Sequence, residues 1–308
     1  MKKSIAILLA THNSKKYLRD QLDSLFKQTY NNFSLIISDD SSTDTTLSLI
    51  DEYMKNHQNI SLIKSNSPLK SAQANFWFLL KNAPKCDYYM FCDHDDIWEE
   101  TKIELTLKKM LEIEEVSRPA LVHSDLYVVD REVNILSSSM FLMQKLPKEQ
   151  TLQSALIQNN VTGCTAMINS SLKSLALKKE NTENMLMHDW YLSILSLAAG
   201  TVGFVDKPLI YYRQHSNNEV GAKDAGKLSY ILKKAFDFNK NSKSIKNTYL
   251  QAQDIALIFK DDLNENYEII KAFGENLNKN KLQRISSAFK YGYWKNTLLR
   301  KIGQLIFM

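Results

Sequence analysis

Three carboxylates follow directly on an apolar and aromatic run in the first half of the chain. The run from Tyr88 to Cys92 has the composition of a buried strand, and Asp93, Asp95 and Asp96 come within the next four residues. Strand residues alternate between faces, so Asp93 and Asp95 would share one face with Cα atoms roughly 6.6 Å apart. Oxygen ligands of this kind suit Mg²⁺ or Mn²⁺, which also accept ligands from phosphates. The alternative is a solvated acidic turn that caps a helix near Thr101, and this stretch alone does not decide between them.

The composition is that of a globular protein, with 44% hydrophobic and 24% charged residues among 308 and a net charge of +5. Such a chain can bury a sizeable core in one large domain or two smaller ones. Its three cysteines are odd in number and lack CxxC spacing, which favours a reducing compartment over a disulfide scaffold or a zinc site. We expect no signal peptide and no spanning helix, because no stretch reaches the roughly 18 apolar residues that a span requires.

Strand-like and helix-like segments alternate four times in the first part of the chain. Strands are predicted at 5–10, 33–37, 60–63 and from 88, and three of the helices at 14–26, 72–82 and 102–115. This repetition predicts an α/β fold with a mostly parallel central sheet and helices on both faces. Ligands of such sheets bind beyond the carboxyl ends of the strands, where polar clusters occur here at 11–13, 39–44 and 93–96.

Glycine-rich phosphate loops are missing from the sequence. Neither GxGxxG after the first strand nor GxxxxGK[ST] occurs, so the chain lacks the signatures of dinucleotide-dependent dehydrogenases and P-loop enzymes. The acidic second loop instead suits hydrogen bonds to the N–H of a base and the hydroxyls of a ribose, with Asp40 as the binding residue. Thr43 is expected to cap the following helix, and Asp44 fits either role.

Taken in order, these motifs resemble those of the family 2 glycosyltransferases, which have the GT-A fold. Residues 11–13 are similar to the family's Thr/Ser-Tyr-Asn turn and residues 39–44 to its Asp-Asp-Gly-Ser-x-Asp loop. Residues 93–98 resemble the Asp-Gln-Asp-Asp-Ile/Val-Trp form of its Asp-x-Asp motif, which is frequent in bacterial rhamnosyltransferases. The resemblance implies that Asp95 binds Mg²⁺ or Mn²⁺ and that the nucleotide-binding residues are Thr11, Asn13, Asp40, Asp44, Asn75 and Asp93.

The chain departs from this family at two places. His12 replaces the tyrosine of the first turn. The family's Asn-x-Gly-x-x-x-Asn segment keeps only its last residue, Asn75, because Leu69 and Ser71 occupy the other two positions. Loss of the glycine would change the backbone path beside the nucleotide, and Lys70 in this loop would either reach a phosphate or stay solvated.

Asp189 lies in the first turn of a helix predicted to end at Ala199. The positive end of the helix dipole favours a carboxylate there, so we expect Asp189 to stay ionised. A base for hydroxyl transfer must lie within hydrogen-bond reach of the attacking oxygen. The resemblance implies that Asp189 is this base in an inverting enzyme, and that Thr162, Gly163 and Trp190 contact the acceptor. The alternative is a structural Asp with Trp190 packed inward.

Residues 212–218 resemble the Tyr-Arg-x-His-x-x-Asn ending of the bacterial rhamnosyltransferases. Arg213 and His215 are two residues apart, so one face can present both. We expect Arg213 at the diphosphate and His215 as a third metal ligand through a ring nitrogen. The alternative is a polar loop with a surface histidine.

The end of the chain is basic and has helical periodicity. Residues 279–308 contain seven lysines and arginines and no acid. Apolar residues recur at helical spacing at Leu282, Ile285, Phe289, Tyr293, Leu298, Ile302 and Leu305. This pattern favours a helix in a membrane interface rich in anionic lipid over one packed on the catalytic domain or a partner subunit. We therefore divide the chain into a catalytic domain at 1–221, with a nucleotide-binding half at 1–118 and an acceptor half at 119–221, and a C-terminal helical extension at 222–308.

Together these features predict a metal-dependent inverting glycosyltransferase on the cytoplasmic face of a bacterial plasma membrane. The resemblance implies dTDP-L-rhamnose as donor and a hydroxyl of a lipid-linked polysaccharide precursor as acceptor; another UDP- or dTDP-hexose is the alternative donor. A second class of function is a non-catalytic GT-A-like scaffold subunit, and nucleotidyl transfer lacks the required basic glycine-rich loop. No nucleic-acid-binding module is recognisable. Assembly into a homo-oligomer stays open.

Overall fold

The computed structural model describes residues 2–214 and 238–308. The expected metal ligand His215 lies outside the described residues, as does the first part of the predicted C-terminal extension. Among the helices that the structure describes, none is long and apolar enough to cross a membrane.

The described strands form one sheet with the order β3-β2-β1-β4-β8-β6-β9-β5, and β7 pairs with β6. The strand bounds are β1 Ile5–Thr11, β2 Phe33–Asp39, β3 Ile60–Ile63, β4 Tyr88–Cys92, β5 Ile97–Trp98, β6 Ala120–Val129, β7 Ile135–Ser137, β8 Met167–Asn169 and β9 Thr201–Arg213.

Strands β1 to β4 are parallel to one another. In their register Thr11 lies beside Asp39, and Leu9 lies beside Cys92. The carboxyl ends of β1, β2 and β4 therefore meet at one edge of the sheet, as the strand-loop-helix repetition predicts. The polar clusters that follow these three strands are brought together there.

The second half of the sheet is mixed. Strand β8 is antiparallel to β4 and β6, whereas β6 and β9 are parallel. Before β8, Gly163–Thr165 form a 3₁₀ turn in which Thr165 N donates to Thr162 O. Strand β9 is continuous from Thr201 to Arg213, and its register with β6 shifts near the pairing of Asp125 with Pro208.

Helices cover both faces of the sheet. Alternate residues of β1 enter two separate apolar cores: Ala6, Leu8 and Ala10 enter one, and Ile5, Ile7 and Leu9 enter the other. The helix bounds are α1 Leu18–Phe26, α2 Thr46–Asn56, α3 Ala72–Asn82, α4 Lys102–Ile113, α5 Met140–Gln144, α6 Leu152–Ile157, α7 Ser170–Ala176, α8 His188–Ala199, α9 Phe238–Ile258, α10 Tyr267–Gly274, α11 Lys281–Tyr291 and α12 Leu298–Phe307.

The C-terminal helices share a core with the helix that begins at His188. Tyr249 of α9 and Phe273 of α10 belong to the same buried cluster as Tyr191 of α8. A buried polar contact adds to this packing, since Asp254 accepts hydrogen bonds from Lys179 Nζ at 2.7 Å and from Tyr191 Oη at 3.2 Å. The position of α8 therefore depends on the C-terminal helices.

Gly200 connects α8 to β9 with no space for a side chain. A Cβ built there would lie 1.8 Å from the carbonyl oxygen of Pro119, which is backbone and cannot rotate away. We expect Gly200→Ala to lower the free energy of unfolding by about 1–3 kcal/mol or more, as overpacking does. Differential scanning fluorimetry would measure this as a lower Tm.

Gly303 provides the matched control, because its added Cβ would meet only Phe307 Cε2 at 3.9 Å, an ordinary contact. Gly303 lies inside α12, so Gly303→Ala should stabilise the fold by about 0.5–1 kcal/mol through helix propensity. Equal Tm values for the two variants would contradict the close approach at Gly200.

Candidate active site

A cleft of about 680 Å³ opens at the carboxyl edge of the parallel strands. Its lining includes five residues that the sequence assigned to nucleotide or metal, namely Thr11, Asn13, Asp40, Asn75 and Asp95. The side chains come from the loops after β1, β2 and β4 and from the first turns of α3. A cleft of this size holds a small ligand with several polar groups.

The loops after β1 and β2 are joined by side-chain hydrogen bonds. Thr11 Oγ1 donates to Asp39 Oδ2 at 2.7 Å, and Asn13 N donates to Ser42 Oγ at 2.8 Å. Asn13 has the left-handed backbone angle φ 48°, and its side-chain oxygen accepts from Thr43 N. Thr11 and Asn13 therefore build the wall of the cleft, and Thr43 is part of this junction rather than the helix cap expected from the sequence.

Asp44 and Asn75 are held by the backbone in different ways. Asp44 accepts hydrogen bonds from Thr46 N and Lys15 N, so it orders the start of α2. Asn75 is buried and donates to Ser38 O at 3.1 Å. Its side-chain oxygen has no hydrogen-bond partner among the described residues. Asn75 therefore leaves one acceptor unsatisfied at the wall of the cleft.

Asp40 closes the loop in which the family's glycine is missing. Its two carboxylate oxygens accept from Leu69 N at 2.6 Å and from Lys70 N at 2.7 Å. The left-handed residue of this loop is Lys70, at φ 64°. Ser71, at the family's glycine position, is extended at φ −159° and caps α3 by accepting from Ala74 N. Serine fits this backbone, so the departure leaves the loop intact.

A cluster of potential metal ligands lies at the tip of β4. Ligand atoms of Asp93, Asp96 and Cys164 lie within 4.8 Å of one another. Asp96 is fully buried; its Oδ1 accepts from Arg213 N at 3.1 Å, and its Oδ2 has no hydrogen-bond partner in the part of the chain that is described. Burial, and then the like charges of Asp95 and Asp93, hold the pKa of Asp96 well above its ordinary value.

These residues fit a hard divalent cation. A buried carboxylate with an orphaned oxygen and two acidic neighbours is relieved by positive charge, and carboxylate oxygens are the ligands that Mg²⁺ and Mn²⁺ prefer. Burial raises the pKa of the Cys164 thiol well above its usual range, so Cys164 is neutral at physiological pH. Sequence analysis counted Asp96 in the acidic run but assigned it no role of its own. Its position in that run was the only signal for it.

Asp95 is not a member of the three-residue cluster, although its charge acts on Asp96 more strongly than that of Asp93. It lines the cleft, and its Oδ2 is 4.0 Å from Nε2 of His94. The structure thus places Asp95 on the cleft side of the loop and Asp96 on the protein side, with Asp93 close to Asp96.

A buried lysine, Lys102, lies close enough to Asp96 and Cys164 to interact with them electrostatically. Lys102 has its Nζ 3.8 Å from the centroid of the Trp98 ring, with no hydrogen-bond partner among the residues described. Burial lowers its pKa to about 8, against the raising effect of Cys164, Cys92 and Asp96. Lys102 therefore supplies positive charge near Asp96 at neutral pH.

Arg213 supports the acidic loop from inside the protein. The residue is only 2% exposed, and its Nη2 forms an ion pair with Asp20 Oδ2 at 2.6 Å. The guanidinium lies 4.5 Å above the Tyr17 ring, and Nη1 donates to Asp95 O at 3.4 Å. Cations that line the cleft are instead Lys16, Lys70 and Arg131. Sequence analysis missed Arg131, which carries no motif.

Asp189 is buried at the start of α8, and its Oδ1 accepts from Trp190 N at 2.6 Å. Burial raises the pKa of Asp189 to about 7, against the lowering effect of hydrogen bonds from Trp190, Gly163 and Asn159. The expectation of a fully ionised carboxylate is wrong, because the desolvation cost exceeds the effect of the helix end. A group with this pKa can both accept and release a proton at neutral pH.

One turn connects Asp189 to the acidic cluster. A Cβ added to Gly163 would lie 3.6 Å from Asp189 Oδ2 and 2.8 Å from His188 Nε2. The next residue, Cys164, belongs to the cluster with Asp96. Asp189 and the acidic cluster therefore lie on the same side of the molecule, separated by a single 3₁₀ turn.

His188 packs beneath this turn between two aromatic rings. Its ring centroid lies 4.5 Å from that of Phe76 and 4.7 Å from that of Phe91, which is on β4. Burial lowers the pKa of His188 to about 3, so the ring is neutral. His188 therefore fixes the start of α8 against the strand that ends at the acidic cluster.

The three residues expected at the acceptor have different surroundings. Gly163 lies beside Asp189, as described above, and Thr162 closes the 3₁₀ turn through its carbonyl. The indole N–H of Trp190 donates to Ala155 O of α6 at 2.6 Å, and its ring packs against the larger core. The indole of Trp190 is thus held by α6, whereas Gly163 lies beside the Asp189 carboxylate.

Known structures share this architecture. Staphylococcus aureus TarS, residues 1–349, superposes with a TM-score of 0.60 at 15% identity, covering 98% of this chain and 77% of that one. The complex of the same protein with UDP-GlcNAc gives a TM-score of 0.56. The fold is accordingly of the GT-A type, with helices in the C-terminal part.

Two bacterial proteins are similar in sequence. The dTDP-rhamnosyl transferase RfbG of Shigella flexneri is 27% identical over 239 residues, which cover 72% of this chain and 76% of RfbG. WfaP of Escherichia coli, described as a UDP-Glc:alpha-D-GlcNAc-diphosphoundecaprenol beta-1,3-glucosyltransferase, is 27% identical over 234 residues, covering 75% of this chain and 84% of WfaP.

The family itself follows from a match over more than half of the chain. Residues 6–175 match the family described as Glycosyl transferase family 2, and this range contains the strands from β1, except its first residue, to β8. With the GT-A architecture and the acidic cluster at the tip of β4, the match shows that this chain belongs to the glycosyl transferase family 2 and is a glycosyltransferase.

Proposed function

We propose that this glycosyltransferase is metal-dependent and inverting, and that Asp189 is its general base. One observation carries the proposal: Asp189 is a buried carboxyl with a pKa of about 7, and a single turn separates it from the acidic cluster. A base with a pKa near the working pH transfers protons most effectively. A carboxylate cluster that fits a cation suits the diphosphate of a nucleotide sugar.

In the proposed reaction, Asp189 accepts the proton of the acceptor hydroxyl while that oxygen attacks the anomeric carbon of the donor. The new glycosidic bond forms on the face opposite the departing diphosphate, so the configuration inverts. Asp93, Asp96 and the cleft residue Asp95 would hold Mg²⁺ or Mn²⁺, and the cation would neutralise charge on the leaving diphosphate. The predicted ligand His215 would complete this set.

The cleft supplies the remaining contacts of the donor. Asp40 and Asn75 would bind the base and ribose, on a wall shaped by Thr11, Asn13 and Asp44. The basic residues at the cleft would face the phosphates, and we assign this role to Arg131 in place of the expected Arg213. The ion pair of Arg213 with Asp20 supports an indirect part for Arg213, which positions the backbone of Asp95 and Asp96.

The donor is dTDP-L-rhamnose in this proposal, supported by the similarity to RfbG, whose name specifies a dTDP-rhamnosyl donor. UDP-hexoses are the alternative, supported by WfaP and by the UDP-GlcNAc complex of TarS. The acceptor is the hydroxyl of a lipid-linked saccharide, the class that the name of WfaP specifies, and Thr162, Gly163 and Trp190 would lie near it. The enzyme would act peripherally on the cytoplasmic face of the plasma membrane.

Donor turnover tests the proposal. The purified chain would be incubated with dTDP-L-rhamnose, UDP-glucose or UDP-GlcNAc and a saccharide acceptor, with Mn²⁺ or with EDTA, and released nucleoside diphosphate measured. We expect release with one donor and Mn²⁺, none with EDTA, and a loss of about 10²–10⁴-fold in Asp189→Asn. A scaffold protein would release no nucleoside diphosphate from any donor, and it would not bind dTDP or UDP in calorimetry.

The same assay, run at a series of pH values, tests the protonation state of Asp189. Because the pKa of Asp189 is raised to about 7, kcat/KM should fall as the pH drops below about 7 and level off above it, at saturating Mn²⁺. A base with the ordinary pKa of an aspartate would leave the rate unchanged down to about pH 5. A flat profile between pH 5 and 8 would therefore contradict a base with the raised pKa of Asp189, and the Asp189→Asn variant would then decide whether this residue is the base at all.

Asp96→Asn tests the metal site through stability. The folded chain raises the pKa of Asp96, so ionising it costs stability as the pH rises above the ordinary value. In EDTA at pH 8 we expect the variant to have the higher Tm, by about 2–4 °C for each kcal/mol relieved. The difference should shrink toward pH 4, where the carboxyl is protonated.

Mn²⁺ should then raise the Tm of the unsubstituted chain more than that of Asp96→Asn, because only the former offers this ligand. Asp51→Asn is the control, since Asp51 is exposed on α2 and the change in net charge is the same. An equal response of all three proteins to Mn²⁺ would exclude Asp96 as a ligand.

Arg131→Ala tests the phosphate contact. Arg131 is exposed at the cleft, and we expect its loss to raise the donor KM by about three- to tenfold, with kcat less affected. The control is Arg118→Ala, which removes an exposed arginine paired with Glu115. Steady-state kinetics with varied donor would separate the two, and equal KM values would refute the assignment.

A further inference from the structure

The last helix of the chain presents its apolar side to solvent. On α12, Leu298 and Leu299 are 76% and 69% exposed, and Ile302 and Ile306 are each about half exposed. Positions 298, 302 and 306 are spaced by four residues, and 299 and 302 by three, so these side chains share one face of the helix. Burial of such side chains is favourable, and a contiguous exposed set marks an interaction surface.

The side of α12 that faces the protein contains the polar Gln304 together with Phe307 and Met308, which pack in the same apolar core as α8. Gln304 is 1% exposed; its Nε2 donates to Tyr293 O at 2.6 Å, and its Oε1 accepts from Lys295 N at 2.9 Å. An amphipathic helix of a globular protein normally turns its apolar face inward. The two hydrogen bonds of Gln304 and the inward packing of Phe307 and Met308 fix the orientation of α12. The leucine and isoleucine side chains named above nevertheless stay exposed.

Helix α11 extends the same apolar region. Lys281 Nζ donates to Ile306 O at 2.9 Å, which brings the start of α11 to the end of α12. At the other end, Phe289 of α11 packs edge-to-face on Trp294, just before α12, with ring centroids 4.9 Å apart. The exposed apolar residues of the two helices form what we call the tail surface: Leu282, Phe289, Leu298, Leu299, Ile302 and Ile306.

The charge around the tail surface selects its partner. Residues 279–308 carry seven basic side chains and no acid. Lys279 pairs with Glu275, and Arg284 donates to backbone carbonyls. The basic residues at the tail surface are therefore taken as Lys281 and Lys290, which are exposed, and the half-buried Lys301. Two copies joined through this surface would bring basic residues against basic residues, which is repulsive. An anionic bilayer offers both features that the surface lacks, namely negative headgroups and an apolar interior.

We propose that the tail surface binds in the plane of an anionic lipid bilayer, with its leucine, isoleucine and phenylalanine side chains inserted among the acyl chains and its lysines at the headgroups. Neither α11 nor α12 is able to span a bilayer, so the helices lie in the interface. The purpose of this contact, delivery of a lipid-linked acceptor, rests on the proposed function. The contact itself does not.

Vesicle flotation of the full chain tests the proposal. Vesicles of phosphatidylcholine alone would be compared with vesicles that also contain phosphatidylglycerol. We expect the chain to float with the anionic vesicles, to bind the neutral ones at least tenfold more weakly, and to dissociate as salt is raised. Binding that is absent, or equal on both vesicles, would overturn the proposal.

Two pairs of variants locate the surface. Leu298→Glu with Ile302→Glu should weaken binding at least tenfold, whereas Leu257→Glu, at an exposed leucine of α9, should not. Lys290→Glu with Lys301→Glu should weaken it on anionic vesicles, whereas Lys55→Glu with Lys108→Glu, at distant lysines, should have a smaller effect. Unfolding transitions would confirm that each variant folds, and unchanged flotation of the Leu298/Ile302 variant would refute the tail surface.

The competing occupant of the tail surface is a second copy of the chain, and light scattering tests for it by measuring the oligomeric state. A dimer that Leu298→Glu with Ile302→Glu converts to monomer would overturn the membrane assignment. Transfer to a soluble acceptor distinguishes membrane binding by the tail surface from the proposed transferase activity. A chain that floats without transferring sugar refutes only the proposed function, and a chain that transfers without floating refutes only the tail surface.

Discussion

A concentration of buried negative charge at the tip of β4 dominates the electrostatics of the candidate site. Asp96 is buried beside Asp93 and Asp95, and its pKa rises because the surroundings cannot solvate another negative charge. The backbone N–H of Arg213 and the buried Lys102 offset part of this cost. A fold selected for stability alone would place apolar residues there, so the carboxylates indicate a site that a cation completes.

The proposed base and the acidic cluster are joined by two separate routes through the fold. One route is the 3₁₀ turn, in which Gly163 contacts Asp189 and Cys164 contacts the cluster. The other leads from α8 through Gly200 into β9, whose last residue donates to Asp96. Two independent connections restrict the separation of the reacting groups more than one loop could, and such preorganisation is what transfer between two bound substrates requires.

The C-terminal helices contribute to this geometry as well as to the exterior. Asp254 of α9 accepts from Tyr191 of α8, so the helix that carries Asp189 is packed against the same set of helices that ends in the tail surface. An orientation of the tail surface on a bilayer would therefore also orient the cleft. This coupling is mechanical, because the elements share one apolar core.

The strand-loop-helix repetition, the bounds of α3 and the three polar clusters could all be predicted from the amino-acid sequence, since periodicity and capping act within a few residues. Which carboxylate is buried, and what each one contacts, depends on how the segments pack together. Asp96 is more deeply buried than Asp95, and Arg213 is paired with Asp20, which lies 193 residues earlier in the chain. The pKa of Asp189 is raised mainly because the carboxyl is buried. Desolvation and ion pairing depend on segments that are remote in sequence, and no local pattern encodes them.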